Sequence, residues 1–443
     1  MGICTKAARW ASFGRPTAKG AISSTEPRCS PISAFRKPSR CARTPAQPWI
    51  LLRRSTFDAS SGIRIIARVI RSTLRVLLAG FFGLAAIVAI AQTPPVTSPE
   101  VQSDNRVTFR FRAPSAQKVE LQLEGRTAHL PMQKDDAGVW SVTIDALEPD
   151  YYGYSFIADG IALIDPRNPL MKPNLLSAQS MVHVPGPPSL PWEMNDVPHG
   201  VVHHHFYKSG VVGDQRDYYV YTPPGYDSTA KKKYPVLYLQ HGYSDDASGW
   251  TAVGRANVIL DNLIAQQRAK PMLVVMALGY GAPEVLEHSS GGLNNPDLRQ
   301  RNLQKFRESL LTEVIPQVER DYRASKDRKA RAIAGLSMGG SESLFVGLTS
   351  ADQFAWIGAF SSGGLNENFD QQFSEMKAKD VSRLELLWIA CGTDDHLMGL
   401  NRGVREWLTS KGVKHTDVDT PGAHTWMVWR RNLATFAPLL FQQ

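Results

Sequence analysis

Residues 333–340 read IAGLSMGG, placing Ser337 between Gly335 and Gly339. That spacing suits a nucleophile. A serine on a tight turn from buried strand to helix is lifted clear of the sheet, and glycines are needed where a Cβ would strike the neighbouring strand and helix. The helix that starts there also aims free N–H groups at the reacting centre. RKARAIAG reads as the buried strand, and SMGGSESLFVGL as a helix packed through small residues. A serine hydroxyl is a weak nucleophile, so the chemistry needs a base to take its proton and an acid to orient the base.

Both have candidates downstream. LELLWIACGTDD is an apolar, strand-like run ending in Gly392-Thr393-Asp394-Asp395, and the C-terminal end of a parallel strand is where ligand-facing residues collect. DTPGAHTWMVWRRNL sets His424 in a Gly-containing loop ahead of an amphipathic helix. The order serine, acid, histidine predicts Ser337 as nucleophile, His424 as base then acid, and Asp395 as the group that orients the imidazole. Asp394 competes with Asp395 on spacing alone. An oxyanion needs two backbone donors. Met338 N–H is one, and Tyr243 N–H is the other, from the His241-Gly242-Tyr243 loop after the strand Val236 to Gln240. His241 itself is expected to hold that loop's shape. Trp250 and Trp426, near this loop and His424 in sequence, are candidate walls of an aromatic acyl pocket. The long polar stretch 279–300 is either a lip over the cleft or a plain surface excursion. His203, His204 and His205 are adjacent, so on a strand they face alternate sides and cannot all ligate one ion. No metal or cofactor is expected.

The elements that must position these groups fall into two sets. Runs RDYYVYTPP, PVLYLQ, MLVVMAL, KARAIAG, WIGAFSS and ELLWIA alternate with helical patterns such as LQKFRESLLTEVIPQVERDY, whose apolar Phe306, Leu310, Val314 and Val318 share one face. That alternation predicts a mainly parallel sheet flanked by helices over 199–443. Upstream, VTFRFRA, VELQL, VWSVTI, YYGYSFIADG and IALIDP alternate with period two, which predicts a small antiparallel sandwich over 105–185. Pro-rich linkers at 92–104 and 186–198 bound it. Trp140, Tyr151, Tyr152 and Tyr154 could stack on sugar rings, but Trp140 and Tyr154 are read as sandwich core.

Charge is divided unevenly. Residues 1–91 carry 15 Lys+Arg against 2 Asp+Glu, whereas the rest carries 35 against 39, so the body offers no nucleic-acid footprint. Arg64, Arg68, Arg71 and Arg75 precede the apolar run VLLAGFFGLAAIVAIA, which ends Ala89-Ile90-Ala91. Over 61–91 this reads as a cleaved signal peptide, with a secreted or periplasmic product starting at Gln92 and no lasting membrane anchor. Residues 1–60 are rich in Arg, Ser, Pro and Ala and are expected to have no fold. Cys4, Cys29 and Cys41 fall in this leader, which leaves Cys391 without a partner for a bridge and best read as buried.

From about Val202 to Phe436 the chain resembles the esterase D / feruloyl esterase group, carbohydrate esterase family 1. The resemblance rests on YVYTPPGYD, YPVLYLQHG, GRANVILDNLIAQ, RAIAGLSMGGSESL, IACGTDDHL and GAHTWMVWRRNL. It implies an α/β-hydrolase fold and a triad of the elbow serine, the acid of the CGT-x-D segment and the histidine of the G-x-H-x-W segment: Ser337, Asp395 and His424. The N-terminal segment, through LEPDYYGYSFIADG and IDPRNPLMKP, resembles early-set immunoglobulin-like domains grouped with carbohydrate-binding module family 48. The implied substrate is a small-molecule or polysaccharide-linked ester, with carbohydrate contact by the N-terminal domain left open. Enterochelin esterases share the fold and the layout, and related mycolyltransferases pass the acyl group to an alcohol, so both readings stay open.

Overall fold

The computed structural model describes residues 95–287 and 292–442. The expected unfolded stretch 1–60, the signal peptide 61–91 with its cleavage site, and Cys4, Cys29 and Cys41 lie outside these residues. Among the described residues no helix is long and apolar enough to cross a membrane.

The N-terminal part is all β: β1 (Glu100–Val101), β2 (Val107–Arg112), β3 (Val119–Leu123), β4 (Leu130–Pro131), β5 (Gln133–Lys134), β6 (Val139–Ile144), β7 (Asp150–Ala158), β8 (Ile161–Leu163), β9 (Met171–Lys172) and β10 (Gln179–Val184). They form two antiparallel sheets, ordered β1-β2-β6-β5 and β4-β3-β7-β10-β9, with β8 on β7. Alternation does the sorting. In β3, Val119, Leu121 and Leu123 face the core while Glu120 and Gln122 face outward. Trp140, Tyr151, Tyr152 and Tyr154 are all buried. Trp140 Nε1 donates to the Ala113 carbonyl at 2.9 Å, and the Tyr154 hydroxyl donates to Asp165 at 2.7 Å. None of these rings is open for stacking on a sugar.

The second part is one mixed sheet: β11 (Val201–Lys208), β12 (Gln215–Thr222), β13 (Val236–Gln240), β14 (Leu273–Ala277), β15 (Arg331–Leu336), β16 (Trp356–Phe360), β17 (Leu386–Gly392) and β18 (Thr416–Thr420). Its order is β11-β12-β14-β13-β15-β16-β17-β18, antiparallel up to β14 and parallel beyond. The flanking helices are α1 (Ala256–Ala265), α2 (Pro296–Ser309), α3 (Ile315–Asp321), α4 (Met338–Thr349), α5 (Met398–Ser410) and α6 (Trp426–Phe436). This is an α/β-hydrolase sheet with helices on both faces. Central strands such as β13 and β15 are therefore buried throughout and mostly apolar. In β13, Leu237 and Leu239 join the core under α1 and α6, while Val236 and Tyr238 join the one under α2, α4 and α5.

Phe306, Leu310, Val314 and Val318 are all buried, as their spacing predicts, but the helix carrying them is not continuous. Residues Leu310–Val314 form a π turn between α2 and α3. Pro316 explains it: proline has no N–H to donate four residues back, and its ring crowds that carbonyl, so the turn widens.

The sandwich packs on the face that holds α1 and α6. Tyr151, Met181 and Trp192 belong to the same apolar cluster as Trp250, Ile259, Trp426 and Leu433. Arg430 of α6, wholly buried, donates to the Asp150 carboxylate at 2.8 and 3.1 Å, to the Tyr151 carbonyl at 2.7 Å and to the Val253 carbonyl at 2.9 Å.

Candidate active site

The elbow lies between β15 and α4, at the carboxyl end of the parallel sheet. Ser337 has φ +51° and ψ −117°, a conformation that costs a serine about 1–3 kcal/mol and that the surroundings must enforce. Its N–H donates to the Phe360 carbonyl at 2.8 Å, and its own carbonyl accepts from Gly363 N–H at 3.1 Å. The glycines are steric requirements. A Cβ on Gly335 would run into the carbonyl oxygens of Gly339 and Gln240, and one on Gly339 into those of His241 and Gln240. The elbow is thus wedged against the end of β13, which brings the next loop to it.

Ser337 Oγ lies 3.0 Å from His424 Nε2, and His424 Nδ1 lies 2.8 Å from Asp395 Oδ2. Asp395 is buried at the end of β17, its other oxygen accepting from Leu397 N–H at 2.8 Å. Burial pushes this carboxyl up, but the hydrogen bonds from His424 and the Leu397 N–H outweigh it and hold the pKa below the ordinary carboxylate value. Asp394 is exposed and accepts a long bond, 3.4 Å, from the Thr393 hydroxyl, so of the two acids it is Asp395 that meets His424. The His424 ring is packed edge-on by Trp429, with centroids 4.8 Å apart. Asp395, His396 and His424 offer ligand atoms within 4.8 Å of one another, but two of the three are already engaged with each other.

The loop after β13 is tied down from several directions. A Cβ on Gly242 would sit 3.3 Å from Ser337 Cβ, so the loop's backbone passes directly beside Ser337. Buried His241 accepts from Gly279 N–H through Nε2 at 2.9 Å and donates through Nδ1 to the Gly242 carbonyl at 2.8 Å. Burial lowers its pKa to about 4, so it is a neutral brace with both nitrogens used. Met338 and Tyr243 both line the cleft over Ser337. The cleft encloses about 530 Å³, and its remaining walls include Leu293, Arg299, Leu365 and Leu397. Asn294 lines it too, so part of the 279–300 stretch borders the cleft, while 288–291 lie outside the described residues.

Trp250 and Trp426 do not line it, and that expectation is corrected. Trp250 is 0% and Trp426 2% exposed; they meet edge to face at 5.2 Å in the core, and Trp250 Nε1 donates to the Gln240 carbonyl. Nearness in sequence to the HG loop and to His424 is a poor guide, because both side chains pack into the apolar core with Phe360 and Trp429. Arg299 and Trp429 were missed. Arg299 carries no motif, whereas Trp429 could have been found from its position, one turn beyond Trp426 on the helix that follows His424. The three adjacent histidines lie on β11, where His204 meets Asp217 at 2.7 Å on one face and His205 meets Tyr322 on the other.

The family model described as "Putative esterase" matches residues 209–440, more than half of the chain. The chain belongs to this esterase family. A second model, carbohydrate-binding module 48 (isoamylase N-terminal domain), matches residues 97–168 of the esterase's sandwich. An endo-1,4-beta-xylanase/feruloyl esterase from Xylanibacter ruminicola is 31% identical over 78% of this chain, which spans only 46% of that relative's length. An acetyl esterase from Caldicellulosiruptor saccharolyticus is 22% identical over 45% of this chain and 80% of its own. In structure, an enterobactin esterase from Shigella flexneri overlays with a TM-score of 0.58 at 20% identity, covering 78% of this chain and 96% of that one, a likeness of fold.

Proposed function

We propose that the chain is a serine carboxylic ester hydrolase that passes through an acyl-enzyme on Ser337. The supporting observation is the relay of Ser337 Oγ to His424 Nε2 at 3.0 Å and His424 Nδ1 to Asp395 at 2.8 Å, on a strained elbow. His424 takes the Ser337 proton as Oγ attacks the ester carbonyl. The oxyanion is held by the N–H groups of Met338, at the start of α4, and Tyr243. His424 then gives the proton to the leaving alkoxide, and a water repeats the sequence to free the acid. Asp395 stays ionised and balances the imidazolium.

Feruloyl esters of plant cell-wall sugars are our proposed substrates. The relative whose printed name includes feruloyl esterase supports this, as does a cleft of aromatic-acyl size whose walls include Leu293, Leu365 and Leu397. We also propose export, on the strength of the signal-like pattern at 61–91. The test compares methyl ferulate, p-nitrophenyl acetate and a catecholate trilactone, with Ser337→Ala as control. Ser337→Ala should lower kcat by more than about a thousandfold with an unchanged circular dichroism spectrum. Retained turnover would overturn the mechanism, and a preference for the trilactone would overturn the substrate.

A further inference from the structure

The loop that carries Tyr243 is not held by the hydrolase sheet alone. Asp245 N–H donates to the Gly242 carbonyl at 3.2 Å, closing a four-residue turn with Tyr243 and Ser244 at its centre. Ser244 has φ +67°, the value a type II turn demands at its third position and one that normally selects glycine. A serine there needs outside support, and the support comes from the sandwich. In the 173–178 connection between β9 and β10, Leu175 N–H donates to the Ser244 carbonyl at 2.7 Å. Asn174 Nδ2 donates to Ser244 Oγ at 2.8 Å and to Asp245 Oδ1 at 3.2 Å. Asn174 is itself fixed, because its Oδ1 accepts from the N–H groups of Leu176 and Ser177, both at 3.0 Å.

The sandwich also reaches the second catalytic loop. Thr425, ahead of α6, makes no side-chain cap. Glu124 of the sandwich stands in for it, with Oε1 3.4 Å from Trp426 N–H at the helix start, two residues after His424. Lys172 lies 3.2 Å from the same oxygen, and Gly153 N–H donates to Oε2 at 2.8 Å.

We infer that Asn174 is a positioning residue for ester cleavage: through Ser244 it fixes the turn that presents Tyr243 N–H, making the β-sandwich part of the catalytic apparatus. The inference rests on the serine-hydrolase reading above. It goes beyond it by giving a domain matched as a sugar-binding module a role in the rate of the reaction.

The test uses the full chain. Asn174→Asp keeps the acceptor for Leu176 and Ser177 but has no N–H₂ to offer Ser244. Asn174→Ser removes the amide without adding a carboxylate beside Asp245, and is run in parallel. Rates for p-nitrophenyl acetate are normalised to sites titrated by a fluorophosphonate, so unfolded protein does not count. Both variants should lose about tenfold in kcat with KM within about twofold, because only the transition state uses the oxyanion donors. In a Ser244→Gly background the same changes should cost less than about threefold, since glycine accepts the turn unaided. An unchanged kcat, a loss confined to KM, or an equal loss in both backgrounds would overturn the inference. A wild type inert toward every ester would instead overturn the reading on which it rests.

Discussion

At the scale of single residues, the loop after β13 carries two titrating groups with opposed effects on stability. Asp245 is buried, and burial raises its pKa from 3.8 to about 7 despite Lys172 and the hydrogen bond from Asn174. Between about pH 4 and 7 the native state keeps a proton that the unfolded state releases, so this group's contribution falls as pH rises, by up to about 4 kcal/mol. His241, lowered by burial from 6.5 to about 4, does the reverse: the unfolded state takes up a proton that the native state refuses, so stability is lost as pH falls, by up to about 3 kcal/mol. The two slopes largely cancel. Asp245→Asn keeps the acceptor for Asn174 and removes one slope, so urea unfolding should find it more stable than wild type at pH 8 and nearly equal at pH 4. Equal destabilisation at both would show that the burial argument is wrong. Asp395, in contrast, is held below the ordinary carboxylate value, because the hydrogen bonds from His424 and the Leu397 N–H outweigh its burial. The residues of this relay were legible because each sits in a short pattern whose chemistry restricts the choice. Asn174 and Glu124 were not, since nothing local marks a side chain whose partner lies 70 or 302 positions away.

Among the elements, α6 has the largest burden, placing His424 at one end and Arg430 in the middle. Arg430 and Asp150 have fully buried side chains, so removing one partner strands the other's charge. Asp150→Asn should destabilise by about 3–5 kcal/mol in denaturant unfolding. A double replacement by apolar residues of similar volume should recover most of that; if it does not, the pair is being credited with packing that belongs to its neighbours. Helices and central strands were readable from period and apolarity. β18 was not. Its sequence TDVDT is polar because it is an exposed edge strand, anchored by Arg405 to the Asp419 carboxylate at 2.7 Å and to the Val418 carbonyl at 2.9 Å. Yet β18 leads straight into the loop of His424. The π turn before α3 was hidden for a different reason: the apolar period runs across it unbroken, and only Pro316 betrays it.

For the whole molecule, the sandwich and the hydrolase sheet share one apolar cluster, and Met427 of α6 packs into the sandwich's own core. Calorimetry on residues 93–443 should therefore give a single cooperative transition. Two resolved peaks would mean that the domains melt apart and that the interface is weaker than its contacts imply. The two-part architecture could be read from the switch in period along the chain; the docking could not, because it is written in pairs such as Asp150 and Arg430, 280 positions apart. That separation also has a meaning in time. A ribosome adding about 5–20 residues per second makes Arg430 roughly 15–55 seconds after Asp150. Throughout that interval the nascent sandwich holds the Asp150 carboxylate without Arg430 and Arg431, the two cations that meet it. A late helix thus closes an early domain, and His424 arrives in the same stretch of synthesis as the arginine that completes the sandwich.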